Sequence, residues 1–395
     1  MRIGIIGCGV SGQAAAIQLA RDGHDVTVFE RFASARPLGA GLLLQPSGQR
    51  ALERLGLRDE AERWGAHVRA LEGRNPKGRV VLELDYRCGE YGLGIHRGAL
   101  FNLLHNALLT SGAELRLNFD VTAIESLGSN PVIASRDGER ADPFDLVLDC
   151  AGAHDGLRDD LNLKVRAPVY PWGAVWAALP DRTGAFADVL SQVYDAAHTM
   201  IGILPLGRAP GAGETPHVAF FWSLKRDDYD NQKDAGVETL KQRVLAKWPA
   251  AKPIVDELKQ WDDLTFATYR DVVVRPLRTG RVIVMGDAAH GTSPQLGQGA
   301  NLALLDAVTL AACLRDKNLD IALARYETLR RRHVAFYSWA SRAMTPAFQS
   351  DSRTIAFLRD LVLYPSGKIP GVRYLMRTTL GGTRKMPLGL FKLPE

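Results

Sequence analysis

Several features that would assign a function at once are scarce or missing. The 395 residues include four cysteines, Cys8, Cys88, Cys150 and Cys313, and none stands at a metal-ligand or disulfide-framework spacing. That excludes a zinc module and a disulfide scaffold, no metal site is expected, and a reducing, cytoplasmic location is. No apolar run reaches the roughly 18 residues of a membrane-spanning helix. The apolar run after Arg2 mimics a secretory leader, but no clear cleavage signal comes after it, and it reads better as a buried strand. Charge of one sign is not in large excess, with 49 Lys and Arg against 44 Asp and Glu. The basic residues are scattered. Their densest run, Arg330, Arg331 and Arg332, falls on a helical pattern and reads as a solvated face, so nucleic acid is not an expected partner. Repeats and low-complexity segments are absent. At 46% hydrophobic and 24% charged residues the chain is globular, with length for two or three domains.

Glycine, by contrast, is plentiful, and two clusters organise the chain. Residues 282–285 form a short apolar run that reads as a buried strand, and Gly286 and Asp287 leave its end. Pro294, Gly297 and Gly299 break the next segment into a tight loop. From about Gln298 a helical pattern runs through Leu302, Leu305, Leu310 and Leu314. A carboxylate thus stands at a strand end, and a glycine-rich loop opens a helix whose N-terminus suits an anion. Taken alone, this reads equally well as an ordinary strand-to-helix connection with a satisfied Asp. The start of the chain tips the balance. Residues 2–6 read as a strand, Gly7, Gly9 and Gly12 give G-x-G-x-x-G, residues 11–22 read as a helix, and a second strand at 25–29 ends at Glu30. This is the dinucleotide fingerprint in its required context. Gly7 permits the tight turn, Gly9 lets backbone approach a pyrophosphate, and Gly12 allows close helix packing. Glu30 can accept both hydroxyls of an adenosine ribose, and its charge would repel a 2′-phosphate.

Together the two segments resemble the class A flavoprotein monooxygenases, the group of para-hydroxybenzoate hydroxylase. The resemblance rests on Gly286, Asp287 and His290, followed by Pro294, Gly297, Gly299, Asn301 and Asp306. Supporting matches are Gly39 and Gly41, Arg97 in IHRGALFNLL, and Tyr326 with Glu327. It extends from Met1 to about Arg332. It implies FAD held by Gly7, Gly9, Gly12, Glu30, Gly41, Arg97, Asp287, Gly297, Gly299 and Asn301, with Asp287 on the ribityl chain. It also implies that Pro294 lies beside the flavin, where its missing N–H leaves only a carbonyl, although a plain loop breaker is the simpler reading. The reaction implied is hydroxylation of a small aromatic, phenol-like or N-heteroaromatic: NADH or NADPH reduces the flavin, O2 adds at C4a, and the hydroperoxide transfers an OH. His290 is expected to be structural.

One stretch departs from the family pattern. After the strand at 146–150 the family has an acid, then Gly, Ser and Arg. Here Gly152 and Arg158 fit, but Ala151 stands where the acid is expected and Asp155 where Ser is expected. Asp149 faces the same side but lies about 6–7 Å away along the strand. Slow flavin reduction is therefore expected.

The fold class expected is α/β: a discontinuous Rossmann-like FAD-binding domain (1–79, 97–164 and 275–340), an inserted antiparallel-sheet substrate domain (80–96 and 165–274), and a C-terminal helical segment (341–395). Trp172, Trp176, Phe220, Trp222 and Tyr269 are candidate walls of a substrate pocket, though strand aromatics more often simply pack. A base for a phenol is open among His198, His217, Tyr194 and Tyr269. Two other classes compete. An NAD-dependent dehydrogenase would use the first loop alone, and an epoxidase, reductase or halogenase would share the flavin fold. Near the C-terminus Arg373, Arg377, Arg384 and Lys385 interleave with Leu375, Met376, Leu380 and Leu388. A tail docked on its own protein is expected there rather than membrane contact.

Overall fold

The computed structural model describes residues 1–34, 40–154, 156–386 and 389–394. Gly39, Asp155 and Leu388 lie outside the described residues.

Strand Arg2–Ile6 sits inside a six-stranded sheet, paired in parallel with Asp25–Phe29 on one side and Leu146–Asp149 on the other. Its residues alternate, as a strand's must. Ile3 and Ile5 enter a core made with helices Val10–Arg21, Arg97–Leu109 and Gly299–Leu314. Ile6 enters the core behind, with Phe29, Phe144, Val147 and Val284. Leu146–Asp149 in turn pairs with Val282–Val284, so Ile6, Asp149 and Val284 lie in register. Three loops therefore leave the same sheet edge: the glycine loop after Ile6, the loop after Asp149, and the turn at Gly286. The chain reverses its order across the sheet here, and open parallel sheets bind nucleotides at such a switch point.

The second large sheet has seven strands. In spatial order they are Thr265–Arg270, Val169–Pro180, Pro216–Lys225, Thr199–Arg208, Val189–Asp195, Ala70–Arg74 and Val80–Asp85. Its pairs are antiparallel except that between 70–74 and 189–193. Helix Tyr229–Lys247 covers its back, placing Leu240 and Val244 on Val175, Ile201, Phe220 and Trp222. For its five later strands the chain leaves and re-enters through a ribbon of Lys164–Arg166 with Val273–Arg275.

Two boundaries differ from expectation. A break at 79/80 would cut a hairpin, because Ala70–Arg74 pairs with Val80–Asp85 inside the large sheet. Glu72 and Gly73 interrupt the apolar alternation there and hide the strand. Gly92–His96 instead pairs with Gly41–Leu44 and Ala66–Val68 in a separate three-stranded sheet. At the other end a single 30-residue helix, Leu319–Phe348, runs through the expected break at 340/341. Arg353–Ser366 and Pro370–Leu380 come after it.

The basic run 330–332 is not a uniform solvated face. Arg330 is fully buried, and its Nε donates to Asp306 Oδ1 at 2.6 Å; Arg331 and Arg332 are exposed. The other Asp306 oxygen accepts the Gly286 N–H at 2.9 Å and meets His290 Nε2 at 2.6 Å. Burial alone would raise the Asp306 carboxyl. Arg330, His290 and the Gly286 N–H overcome that and hold it well below the usual carboxylate range. A depressed folded value means stability that is present above the unfolded pKa of about 4 and is lost as pH falls toward the folded one. Arg330→Met leaves a buried carboxylate without its cation and should cost about 3–5 kcal/mol in urea unfolding at pH 7. Arg331→Met should stay within about 0.5 kcal/mol. Equal effects from the two would show that the clamp contributes nothing special.

Candidate active site

The first glycine loop is shaped by close packing. Gly7 has φ +96°, and a Cβ on Gly12 would lie 1.9 Å from the Gly7 carbonyl oxygen, so the helix start presses on the strand end. A Cβ on Gly9 would meet nothing within 4 Å, so the loop faces open space. Gly9 caps helix Val10–Arg21 without a side-chain bond, and no acid stands in the first turn. Uncapped N–H groups and the positive end of the helix dipole thus face that space, which suits a pyrophosphate. Glu30 stands beside the loop, accepting the N–H of Cys8 at 3.0 Å and of Phe32 at 3.1 Å.

The second motif is built the same way. Gly286 has φ +59°, and a Cβ there would lie 2.8 Å from Ser11 Cβ. His290 is buried and spends Nε2 on Asp306, the structural role expected of it. Asp287 is exposed, and its carboxylate has no hydrogen bond or ion pair among the described residues. It looks toward the start of helix Gly299–Leu314: a Cβ on Gly299 would lie 3.6 Å from Asp287 Oδ1. That helix also lacks a side-chain cap. A free carboxylate for hydroxyls thus adjoins a second bare helix N-terminus. The two loops would suit a dinucleotide, with its pyrophosphate at the first helix start and its hydroxyls at Asp287.

The remaining expected cofactor residues divide. Arg97 is exposed in the first turn of its helix, its N–H donating to Ala40 O at 3.1 Å. Gly297 takes φ +58° and closes the one-turn helix Pro294–Leu296. Asn301 is fully buried and spends its amide on backbone. Its Nδ2 donates to Leu43 O and Gly297 O, and its Oδ1 accepts the Gln45 N–H at 2.8 Å. It shapes the loop rather than offering a side chain to it. Gly41 likewise gives closeness, since a Cβ there would lie 2.4 Å from Leu206 of the large sheet.

Pro294 is half-buried, and the residue before it is tied down. Ser293 Oγ lies 2.6 Å from Ser341 Oγ and 3.1 Å from Thr345 Oγ1, both on helix Leu319–Phe348. Ser341 also donates to the Ser293 carbonyl at 3.2 Å.

Strand alternation sorts the five candidate pocket walls. Phe220 and Trp222 point to the back of the large sheet, under helix Tyr229–Lys247, so they do not line a pocket. Trp172 is on the front but buried at its end, edge-on to His198 and beneath Lys225. Trp176 and Tyr269 meet at the front, Tyr269 on the edge strand Thr265–Arg270, and both are half-buried. Phe221, not expected from sequence, joins them with its ring 4.7 Å from Trp176.

The four candidate bases separate too. His198 is exposed in a hairpin turn, and His217 sits at a strand end against Thr215 O. Tyr194 is buried against Phe348 and donates to Gln192. Tyr269 alone is half-buried on the front beside Trp176. Its oxygen accepts Trp176 Nε1–H at 3.0 Å, which leaves its own proton to give. Burial pushes its phenol up to about 12, against the lowering effects of the Trp176 bond and of Arg97. It is therefore a neutral hydrogen-bond donor at pH 7, not a base.

The departure at Ala151 is real in three dimensions. Ala151 is exposed, while Asp149 is fully buried, with its Oδ1 accepting the Ala151 N–H at 3.1 Å. Asp149 does not reach the cleft in its place. Arg158 is buried and donates to the carbonyls of Gly152, Ala153 and Ala288, tying this loop to the turn after Asp287. Three of the four C-terminal cations are engaged by the protein itself. Arg373 and Arg377 bind Asp85, and Arg384 is buried on Thr378. Among the described residues no helix is long and apolar enough to cross a membrane.

Comparison with known proteins agrees with this geometry. Residues 1–337 match the family described as FAD binding domain, a span that includes both glycine loops and the large sheet between them. The chain is 32% identical over 370 residues to 3-amino-4-hydroxybenzoate 2-monooxygenase of Streptomyces cremeus, covering 88% of each. It is 28% identical over 352 residues to 6-hydroxynicotinate 3-monooxygenase of Pseudomonas fluorescens, covering 85% of this chain and 88% of that one. Among solved structures, Klebsiella pneumoniae HpxO complexed with FAD and uric acid has the same fold, with a TM-score of 0.81 at 21% identity over 98% of both chains. With one match running through both cofactor loops and a relative above 30% identity along most of its length, this chain belongs to the FAD-dependent monooxygenases.

Proposed function

We propose that this monooxygenase hydroxylates a small phenol or hydroxylated N-heteroaromatic ring, using O2 and NADH or NADPH, in the space between the front of the large sheet and the loop 293–299. The observation that carries this reading is Tyr269, a neutral donor with an uncommitted proton at one edge of an apolar face. Bound FAD supplies electron transfer from the nicotinamide and activation of O2.

The protein's part is binding, orientation and dryness. Glu30 takes the adenosine ribose, the bare N-terminus of helix Val10–Arg21 takes the pyrophosphate, and Asp287 takes the ribityl hydroxyls. The start of helix Gly299–Leu314 offers positive potential where negative charge gathers on a reduced ring. Pro294 presents no N–H to the reacting region. Tyr269 donates to the substrate's ring oxygen, and Trp176 fixes the direction of that bond. Arg97 adds favourable potential for the oxygen in its ionised form. Charge held on that oxygen enriches the ring carbons beside it for attack on an electrophilic oxygen.

Three outcomes test these roles. Asp287→Ala should weaken FAD binding about tenfold or more, since a hydrogen bond to a charged group contributes about 1.5–3 kcal/mol; wild-type affinity in a flavin titration would remove Asp287 from the site. Tyr269→Phe should lower kcat/KM about 10- to 100-fold on the same grounds, with FAD affinity unchanged. Its pH profile should keep the limbs of the wild type, because a phenol at about 12 does not titrate in the working range. A limb lost in the Phe variant would make Tyr269 the base after all.

Flavin reduction by free NADH or NADPH should be slow, since Ala151 offers no carboxylate and Asp149 is buried. Ala151→Asp should speed it in stopped-flow measurements. Rapid, saturable reduction of the wild type at micromolar nicotinamide would refute this expectation.

A further inference from the structure

The front of the large sheet carries a pattern that bears on substrate choice. Strands Val169–Pro180 and Pro216–Lys225 face each other across five front rungs: Trp172 with Lys225, Ala174 with Ser223, Trp176 with Phe221, Ala178 with Ala219, and Pro180 with His217. The three inner rungs hold no titratable group. The next pair of strands continues the pattern, with Gly202 opposite Gln192 and Met200 opposite Tyr194. The polar groups among them are already engaged. Ser223 Oγ accepts the Met200 N–H at 2.8 Å, and Gln192 Oε1 accepts the Tyr194 hydroxyl at 2.8 Å.

Trp176, Ala178 and Leu190 stay half-buried although they lie inside the sheet, so they border open space. The helix Leu319–Phe348 brings Met344 and Ala347, also half-buried, to the same apolar cluster. Three cations come near among the described residues. Lys225, on the outermost rung, is paired with Asp351. Arg359 lies over the Tyr194 ring, but it is paired with Asp360 and bonded to Ala347 O. Arg97 acts on Tyr269. Among the described residues the inner rungs therefore offer one donor and one unpaired cation at the Tyr269 end, and otherwise apolar side chains or polar groups already engaged. A ring with an ionisable oxygen and a carboxylate would satisfy the first group and strand the second. An unpaired carboxylate on such a surface loses its hydration with nothing in exchange.

We propose that the substrate carries a single ionisable ring oxygen, which binds at Tyr269, and an apolar substituent that lies over Trp176 toward Ala178 and Leu190, and that the site rejects aromatic acids. This rests on the monooxygenase reading above and narrows it. Substituents are selected by transfer of apolar area from water, and acids are excluded by uncompensated charge.

The test uses matched pairs on the FAD-loaded protein: 4-propylphenol against 4-hydroxybenzoate, and 2-pentyl-4-quinolone against 4-hydroxyquinoline-2-carboxylate. Binding is read by perturbation of flavin absorbance and by quenching of tryptophan fluorescence, and hydroxylated product by mass. At least one alkyl compound should bind about 100-fold more tightly than its acid partner. Ala178→Lys should shrink that ratio to under about tenfold by supplying the missing cation. Leu190→Trp should weaken the alkyl compound while leaving phenol itself little changed. Acids that bind as tightly as their alkyl partners overturn the proposal, as does a failure of both members of both pairs to bind. Selective binding of the alkyl compounds without hydroxylated product upholds the proposed selectivity and counts instead against the proposed hydroxylation.

Discussion

A buried carboxylate, Asp306, is the constraint on which the site depends. Its two oxygens are shared among the Arg330 guanidinium, the His290 ring and the Gly286 N–H. The Gly286 bond fixes the turn that presents Asp287, and the His290 bond fixes the segment leading to Pro294. The Arg330 bond fastens helix Leu319–Phe348, which holds Ser293 through Ser341 and Thr345. Without its partners the charge would be intolerable in this interior, so the partners must converge whenever the chain folds. A group with no place at the reacting centre thereby sets where the reacting centre is.

The two cofactor loops were legible in the sequence because their requirements are local. Gly7, Gly12 and Gly286 are needed for approaches between neighbouring backbone segments, and the apolar runs that flank them are short and clean. The strand Asp25–Phe29 and the placement of Glu30 at its end come from the same local pattern. Facing was not legible. Period-two alternation shows that Phe220 and Trp222 share a face and that Trp176 lies on a strand, but nothing local says which face helix Tyr229–Lys247 will cover. Arg330 was hidden for the same reason: its neighbours Arg331 and Arg332 are exposed, and its partner lies 24 residues earlier. The strand Ala70–Arg74 is held by pairing on both edges, which its composition does not announce. Asn301 was legible as important but not as structural, because two of its three partners, Leu43 and Gln45, lie in a segment far away in the chain.

Charge is distributed with a clear division. At the sheet edge where the three loops emerge, two bare helix ends and two carboxylates face open space. Across the cleft the large sheet is apolar, with the paired Trp176 and Tyr269 as its polar feature. The first surface suits a highly charged ligand with many hydroxyls, and the second suits a ring. The protein thus separates the handling of a polyanion from the handling of an organic substrate by giving each to a different sheet. The low polarity of the second side strengthens whatever electrostatic interaction is made within it.

Helix Leu319–Phe348 has a mechanical consequence. At 30 residues it is about 45 Å long. It is anchored at Asp306 near one sheet, at Ser293 midway, and at Tyr194 of the other sheet through Phe348. It thus ties the two sheets together beside the ribbon of residues 164–166 and 273–275. Opening the two sheets as rigid plates would break buried hydroxyl contacts and an aromatic contact at once. Separation of the two sheets is thereby opposed at three points along one helix.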